Sequence, residues 1–339
     1  MTTISDVARR AGVSAMTVSR VINGSGHTSP DARARVEQAI AELGYVPNAV
    51  ARHLRSKRSK TIGLVITDIT NPFFTSIARG AEDVAGPHGF GVLFCNTDES
   101  EADEVAYVSM LLQRQIDGVL LVPASASSRS IKLLRDRHVP VVVLDRRVRA
   151  PSVDVVRGDS EGGAYGLVRH LVSLGHRRIA ALAGPREVST SIDRVEGYQR
   201  ALADVGVPLD PDLVRFGGYQ EAAGHAMARE VLAHAQPPTA IFAGNNFIAA
   251  GVLAAVRECG LRVPDDISLV AFDDLPSAWT ADPFLTVAVQ PAYELGRRAA
   301  ELLLERLHGG EARPAREVVL PVELLVRRSS GPPQHGLAA

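Results

Sequence analysis

From Thr61 onward the sequence alternates short apolar, β-branched runs with stretches of helical periodicity, and this alternation limits the fold more than any other feature. The runs TIGLVI, GVLFCN, GVLLVPA, VVVLD, IAALAG, AIFAGN, SLVAF and TVAVQ read as strands. Intervening segments such as FTSIARGAEDVAGPHG and AAGVLAAVRECG read as helices. Repeated strand–helix units need crossover connections, so the strands are expected to lie parallel, in an α/β doubly wound arrangement with helices on both faces. Eight or more strands in about 270 residues suit two lobes better than one sheet.

That expectation supplies a search rule, because open parallel sheets bind ligands beyond the carboxyl ends of their strands. TIGLVI leads to Asp68, Asn71, Phe73 and Phe74, and VVVL leads to Asp145 and Arg146. IAALAG leads to Asp193 and Arg194, and AIFAG to Asn245 and Asn246. SLVAF leads to Asp273 and Asp274, and TVAV to Gln290. Carboxylates, amides and guanidinium groups flanked by aromatics suit a neutral polyhydroxylated ligand, whose hydroxyls donate and accept while a ring packs on its apolar face. Taken singly, Asp273 and Asp274 also read as helix caps and Asn71 as the start of a turn at Pro72.

Composition excludes several classes. With 339 residues, 46% of them hydrophobic, the chain can bury a large core and divide into two or three domains. Cys95 and Cys259 are its only cysteines, and no CxxC or Cys/His cluster is present, so no metal or cofactor is expected and a reduced, cytoplasmic setting fits. MTTISDVARRAG lacks the apolar run of a signal peptide, and no stretch of about 18 apolar residues suggests a membrane span. GDSEGG at 158–163 resembles a serine-protease nucleophile motif but carries an extra glutamate and no matching His/Asp pair; Asp159 reads instead as a helix cap. No GxGxxG or GxxxxGK[ST] loop is present, so an enzyme is not expected.

Charge is divided unevenly. Residues 1–60 hold ten basic and four acidic side chains, a net of +6, whereas the remainder holds 27 basic and 34 acidic, a net of −7. A basic head on an acidic body suggests a polyanion-binding domain. Within the head, Thr3 caps a helix from Ile4 to Ala11 that Gly12 ends, and Ser14 caps a second from Ala15 to Ile22. Val7, Ala8, Ala11, Val18, Val21 and Ile22 face inward, with Val13 plugging the corner. Ser29 and Pro30 start a third helix that runs through Val36, Ala39, Ile40 and Leu43 to Gly44. Two short helices around a glycine turn are the helix-turn-helix pattern, whose second helix enters the major groove. Ala15, Met16 and Thr17 then meet base edges, with Arg20 one turn later able to grip a guanine. A three-helix protein-interaction module is the alternative.

TISDVARRAGVSAMTVSRVING, followed by PNAVARHLRSKRSKTIGLVI, resembles the head of the lactose-repressor/galactose-repressor family of bacterial transcription regulators. The likeness extends over essentially the whole chain, and the body is similar to periplasmic sugar-binding proteins of the ribose type. The resemblance implies a helix-turn-helix headpiece over 1–46, a hinge over 47–60, a two-lobed ligand-binding and dimerisation domain over 61–330, and a tail over 331–339. The first lobe is expected at 61–160 and 291–320, the second at 161–290 and 321–330. It further implies DNA contacts at Thr3, Ser14, Ala15, Met16, Thr17, Ser19, Arg20 and Asn23, and in the hinge at Asn48, Ala51, Arg52, Leu54 and Arg55. Leu54 takes the place of a leucine that wedges into a central base step; packing against the body is its other reading. His176 is a strand-entry residue of the family.

For the ligand, the resemblance carries over Asn71, Phe73, Phe74, Asp145, Arg146, Arg194, Tyr219, Asn245, Asp273 and Gln290, which implies a pentose or a hexose. Two positions depart from the pattern: Tyr219 stands where phenylalanine is usual, and Asn246 replaces a common acidic residue. A phenol or amide there would accept a larger or differently substituted sugar. The implied protein is a homodimeric repressor of double-stranded operator DNA, with a monosaccharide between its lobes changing the spacing of the hinges and so releasing it. A regulator answering to a nucleobase or a protein co-repressor, a sugar transport binding protein and a sugar-modifying enzyme are the alternatives. The tail GPPQHGLAA carries no heptads, so no tetramerising coiled coil is expected.

Overall fold

The computed structural model describes residues 2–46, 59–127, 129–148, 153–275, 282–309 and 314–334, and leaves out the side chain of Asn23. The hinge positions Asn48, Ala51, Arg52, Leu54 and Arg55 lie outside the described residues. The chain forms two compact units, residues 1–59 and 60–339.

The first unit holds three helices, α1 (Ile4–Ala11), α2 (Ala15–Asn23) and α3 (Pro30–Leu43). Each starts on a hydroxyl cap. The Thr3 side chain accepts from the Asp6 amide while the Asp6 carboxylate accepts from that of Thr3, and Ser14 and Ser29 cap α2 and α3. Each ends on a glycine with positive φ, at Gly12, Gly24 and Gly44. A side chain is strained in that conformation, so the glycines stop the helices sharply. Val7, Ala8, Ala11, Val18, Val21, Val36 and Ala39 form the buried core, with Val13, Ile22, Ile40 and Leu43 packed around it.

The second unit holds two six-stranded sheets. The first contains β1 (Thr61–Ile66), β2 (Gly91–Asn96), β3 (Gly118–Leu121), β4 (Val141–Leu144), β5 (Asp154–Gly158) and β11 (Glu317–Leu320), in the order β11-β5-β4-β3-β1-β2. The second contains β6 (Ile179–Ala183), β7 (Val214–Phe216), β8 (Ala240–Ala243), β9 (Ser268–Phe272), β10 (Thr286–Val289) and β12 (Glu323–Leu325), in the order β12-β10-β9-β8-β6-β7. All described pairings are parallel except β10–β12, which is antiparallel, so the expectation of purely parallel sheets is corrected at that edge. The tail lies partly against the second sheet, where the Gly331 amide donates to Ser268.

Helices cover both faces, which is why the strands read as continuous apolar runs. In β1, Ile62, Leu64 and Ile66 join one core with α4 (Pro72–Ala85) and α11 (Ala292–His308). Val65 joins the opposite core, under α5 (Glu101–Gln113) and α6 (Arg129–Asp136). The second sheet repeats the plan, with α9 (Glu221–Leu232) and α10 (Asn246–Glu258) on one face and α7 (Ser160–Ser173) and α8 (Ser189–Ala203) on the other. Asp159 caps α7 by accepting from the Gly162 amide at 2.9 Å, as the sequence suggests, so GDSEGG is a helix start. His176 is buried, with its ring nitrogens 2.9 Å from the Thr239 hydroxyl and 2.8 Å from the Gly331 carbonyl oxygen.

β5, β7, β11 and β12 were not among the sequence-predicted strands. They are three to five residues long, and DVVRG and EVVL carry charges. Asp154 is buried and held by ion pairs from Arg306 at 2.9 Å and Arg316 at 3.6 Å, both distant in sequence. A charge stabilised by remote partners leaves no local signal.

Candidate functional site

A cavity of about 260 Å³ lies between the carboxyl ends of the two sheets. All ten ligand candidates, Asn71, Phe73, Phe74, Asp145, Arg146, Arg194, Tyr219, Asn245, Asp273 and Gln290, border it. Their placement follows from local rules. Asn71 caps α4 by accepting from the Phe73 amide at 3.1 Å, which presents Phe73 and Phe74 as an edge-to-face pair with ring centroids 5.1 Å apart.

Asp145 and Asp273 are related positions in the two lobes. Each follows the third strand of its sheet order, and each donates its amide to the carbonyl of the next strand, at 2.9 and 2.8 Å. Both adopt left-handed backbone, with φ of 63° and 60°. Such conformations cost about 1–3 kcal/mol in non-glycine residues, least in Asp and Asn, and concentrate at functional sites. Arg194 attracts both carboxylates and stacks on Phe272, its guanidinium carbon 3.9 Å from the ring centroid. Burial raises the Asp145 carboxyl against the pull of Arg146, and pushes Asp273 up to about 6 against the pull of Arg194 and a 3.0 Å hydrogen bond from Gln290.

Other candidate groups are engaged within the protein. The Asn245 side chain caps α10 and donates to the Tyr219 carbonyl oxygen at 3.1 Å. The Asn71 and Asn246 amides donate to each other, at 3.1 and 3.2 Å, and Asn246 also donates to the Asp274 carbonyl oxygen. Asn246 therefore ties one lobe to the other and does not border the cavity. The Tyr219 hydroxyl lies 2.7 Å from that of Thr190 and 2.8 Å from that of Ser191. The expectation that positions 219 and 246 offer polar atoms for a larger sugar is corrected: neighbouring side chains already hold them. Asp193 and Asp274, from the strand-end search, likewise lie off the cavity, Asp193 pairing with Arg147 and Asp274 with Arg327. Sequence reasoning missed Glu99, which borders the cavity and grips Arg146 through two hydrogen bonds of 2.6 Å. It follows β2, so the strand-end rule contained the signal.

Five of the nine buried side-chain atoms without a hydrogen-bond partner among the described residues belong to residues that border the cavity: Thr67 Oγ1, Asp145 Oδ1, Arg146 Nε, Arg194 Nε and Gln290 Oε1. Buried polar atoms are otherwise nearly always paired, and leaving one unpaired costs about 1–3 kcal/mol.

In the head, Thr3, Ser14, Ala15, Met16 and Arg20 are exposed, and Thr17 and Ser19 are half-buried. Met16 is 65% exposed at the start of α2, unusual for a large apolar side chain. Thr3 and Ser14 serve first as caps, Ser14 accepting from the Thr17 amide at 3.1 Å.

The family model for bacterial regulatory proteins of the lacI family matches residues 3–48, and the model for periplasmic binding proteins and the sugar-binding domain of the LacI family matches residues 59–327. The chain belongs to the LacI family. It is 36% identical to the HTH-type transcriptional regulator DegA of Bacillus subtilis over 98% of each chain. It is 34% identical to the HTH-type transcriptional repressor PurR of Photobacterium profundum, over 97% of this chain and 98% of that one. A crystal structure of the Lac repressor dimer bound to operator and the anti-inducer ONPF superposes with a TM-score of 0.85 at 31% identity, over 97% of this chain and 99% of that one. This LacI-family protein is thus a DNA-binding transcriptional regulator of two parallel-sheet lobes and a helix-turn-helix head. No described helix is long and apolar enough to cross a membrane.

Proposed function

We propose that this regulator represses transcription as a homodimer on a palindromic operator and is released when a monosaccharide, a pentose or a hexose, occupies the interlobe cavity. The observation that carries this reading is the group of unpaired buried donors and acceptors on residues that border a cavity with Phe73 and Phe74. A sugar hydroxyl both donates and accepts, so a polyol can satisfy Asp145 Oδ1 and Gln290 Oε1 as well as Arg146 Nε and Arg194 Nε. The cavity, about 260 Å³, sits below the roughly 300–1,000 Å³ common for ligand sites, which favours a single sugar ring. A ligand releases DNA only through unequal affinity for the two states.

The direct test follows operator binding by gel shift while pentoses, hexoses and purines are titrated. Release by a monosaccharide and not by a purine is the expected result; release by a purine alone would overturn the sugar assignment. In the head, Arg20→Ala is expected to weaken operator binding by about 10–100-fold, from the roughly 1–3 kcal/mol of a bidentate base contact, with sugar affinity unchanged. Equal operator affinity in a fluorescence-anisotropy titration would remove Arg20 from base reading.

Acidity follows from Asp273. A hydroxyl donates best to an ionised carboxylate, and this group titrates at about 6, raised from 3.8 by burial. Sugar affinity is expected to plateau above pH 7 and fall about tenfold by pH 5, where about a tenth of the group is ionised. Stability of the ligand-free protein moves the opposite way. Between the unfolded and folded values the native state holds a proton that the unfolded chain releases, so this contribution is lost as pH rises through about 6. Calorimetric titration from pH 5 to 8 checks the first claim; a flat affinity profile contradicts it.

A further inference from the structure

We propose that Glu99 makes the effector cavity a filter against anions, so that the effector is an uncharged sugar bearing neither phosphate nor carboxylate. The inference rests on the monosaccharide reading and narrows it.

Two guanidinium groups border the cavity, and each would ordinarily invite an anion. Arg146 has no terminal fork to offer, and Arg194 has one terminal nitrogen committed. Both Arg146 terminal nitrogens bind the Glu99 carboxylate, at 2.6 Å each, and Nη1 also donates to the Pro123 carbonyl oxygen at 2.8 Å. A bidentate carboxylate is the partner that a phosphate or uronate would have to displace. Arg194 donates from Nη1 to the Gly244 carbonyl oxygen at 2.6 Å and lays its face on Phe272. In each case Nε is buried and makes no hydrogen bond among the described residues, Arg146 Nε standing 3.7 Å from the Asp145 carboxylate.

The remaining charge in the lining is negative. Asp68, Asp98, Glu99, Asp145 and Asp273 border the same cavity as those two arginines, five carboxyl groups against two guanidinium groups. The Arg146 and Glu99 side chains are 4% and 17% exposed, so solvent screens the pair weakly. An incoming phosphate would meet a lining whose residues include Asp145, with a buried acceptor, Oδ1, that can give it nothing. Selectivity can be built by withholding partners from the wrong ligand as well as by adding contacts to the right one. Glu99 also has left-handed backbone, with φ of 61°, as does its neighbour Asp98 at 48°.

The test is isothermal titration calorimetry on the full chain at physiological salt. Probes are ribose, xylose, arabinose, glucose and galactose, together with ribose 5-phosphate, glucose 6-phosphate, galactose 6-phosphate, glucuronate and galacturonate. The wild-type protein is expected to bind a neutral sugar at least 100-fold more tightly than any anionic probe. Glu99→Gln, which leaves one acceptor and frees part of the Arg146 fork, is expected to narrow that gap at least tenfold, and Glu99→Ala further. An anionic probe bound within tenfold of the best neutral sugar overturns the filter while leaving the monosaccharide reading intact. A wide gap that neither variant alters, in folded protein, overturns the role of Glu99. Binding by none of the probes sinks the monosaccharide reading and the filter with it. The wild-type comparison needs no variant, so a Glu99 substitution that fails to fold does not protect the proposal.

Discussion

Asp145→Asn is expected to weaken monosaccharide binding about 100-fold or more while leaving operator affinity unchanged, producing a repressor that sugar no longer releases. Asp145 Oδ1 is a buried acceptor without a partner, and its carboxylate borders the cavity. A hydrogen bond to a charged group contributes roughly 1.5–3 kcal/mol, and a carboxylate can accept from two sugar hydroxyls, so losing the charge removes roughly 3 kcal/mol or more. Asparagine is the informative replacement because it tolerates the left-handed backbone that Asp145 adopts, at φ 63°. Alanine would add backbone strain to the loss of the acceptor. Calorimetry with the released sugar and a gel shift with and without it read the two halves. Binding within threefold of wild type would show that the carboxylate does not contact the ligand.

Gly296→Ala is expected to destabilise the ligand-binding unit by about 3 kcal/mol. α4 and α11 cross so closely that a Cβ on Gly296 would stand 2.0 Å from the Ile77 carbonyl oxygen, and one on Gly80 would stand 2.1 Å from that of Tyr293. These are backbone atoms in packed helices, so relief requires the helices to separate and the buried core beneath them to loosen. Alanine in a helix gains roughly 0.5–1 kcal/mol over glycine from chain entropy, and here the clash outweighs it. Gly166, in α7 with nothing within 4 Å of its Cβ position, supplies the contrast. Gly166→Ala should stabilise slightly, and urea denaturation of the two variants side by side distinguishes close approach from propensity. A neutral Gly296→Ala would contradict the crossing geometry.

Much of this was legible in the residues. Ser29-Pro30 and Gly44 bound α3 as predicted, because a cap, a fixed proline φ and a glycine stop act within a few residues of themselves. The second helix runs one residue beyond its predicted end, to Asn23. The apolar strands were visible because helices cover both of their faces, whereas DVVRG and EVVL were not, because Asp154 is matched by Arg306 and Arg316 and Arg157 by Glu317, partners distant in sequence. Ten residues named from strand ends and family resemblance meet at one cavity, and strand topology explains why: every parallel strand delivers its last residue to the same edge.

What the sequence and its family resemblance determined was therefore that these ten residues arrive at the cavity, though not that Glu99 joins them or that Asp193, Asn246 and Asp274 stay off it. Which of their atoms remain free was decided by tertiary structure. Asn71 is paired with Asn246, 175 residues away, and Arg146 with Glu99, 47 residues away. The Tyr219 hydroxyl is held by Thr190 and Ser191 from a neighbouring helix. A side chain's type fixes how many hydrogen bonds it can make, and this part is written in the chain. The partners that consume those bonds are set by the packing of two lobes, and so is the chemistry left to face a ligand.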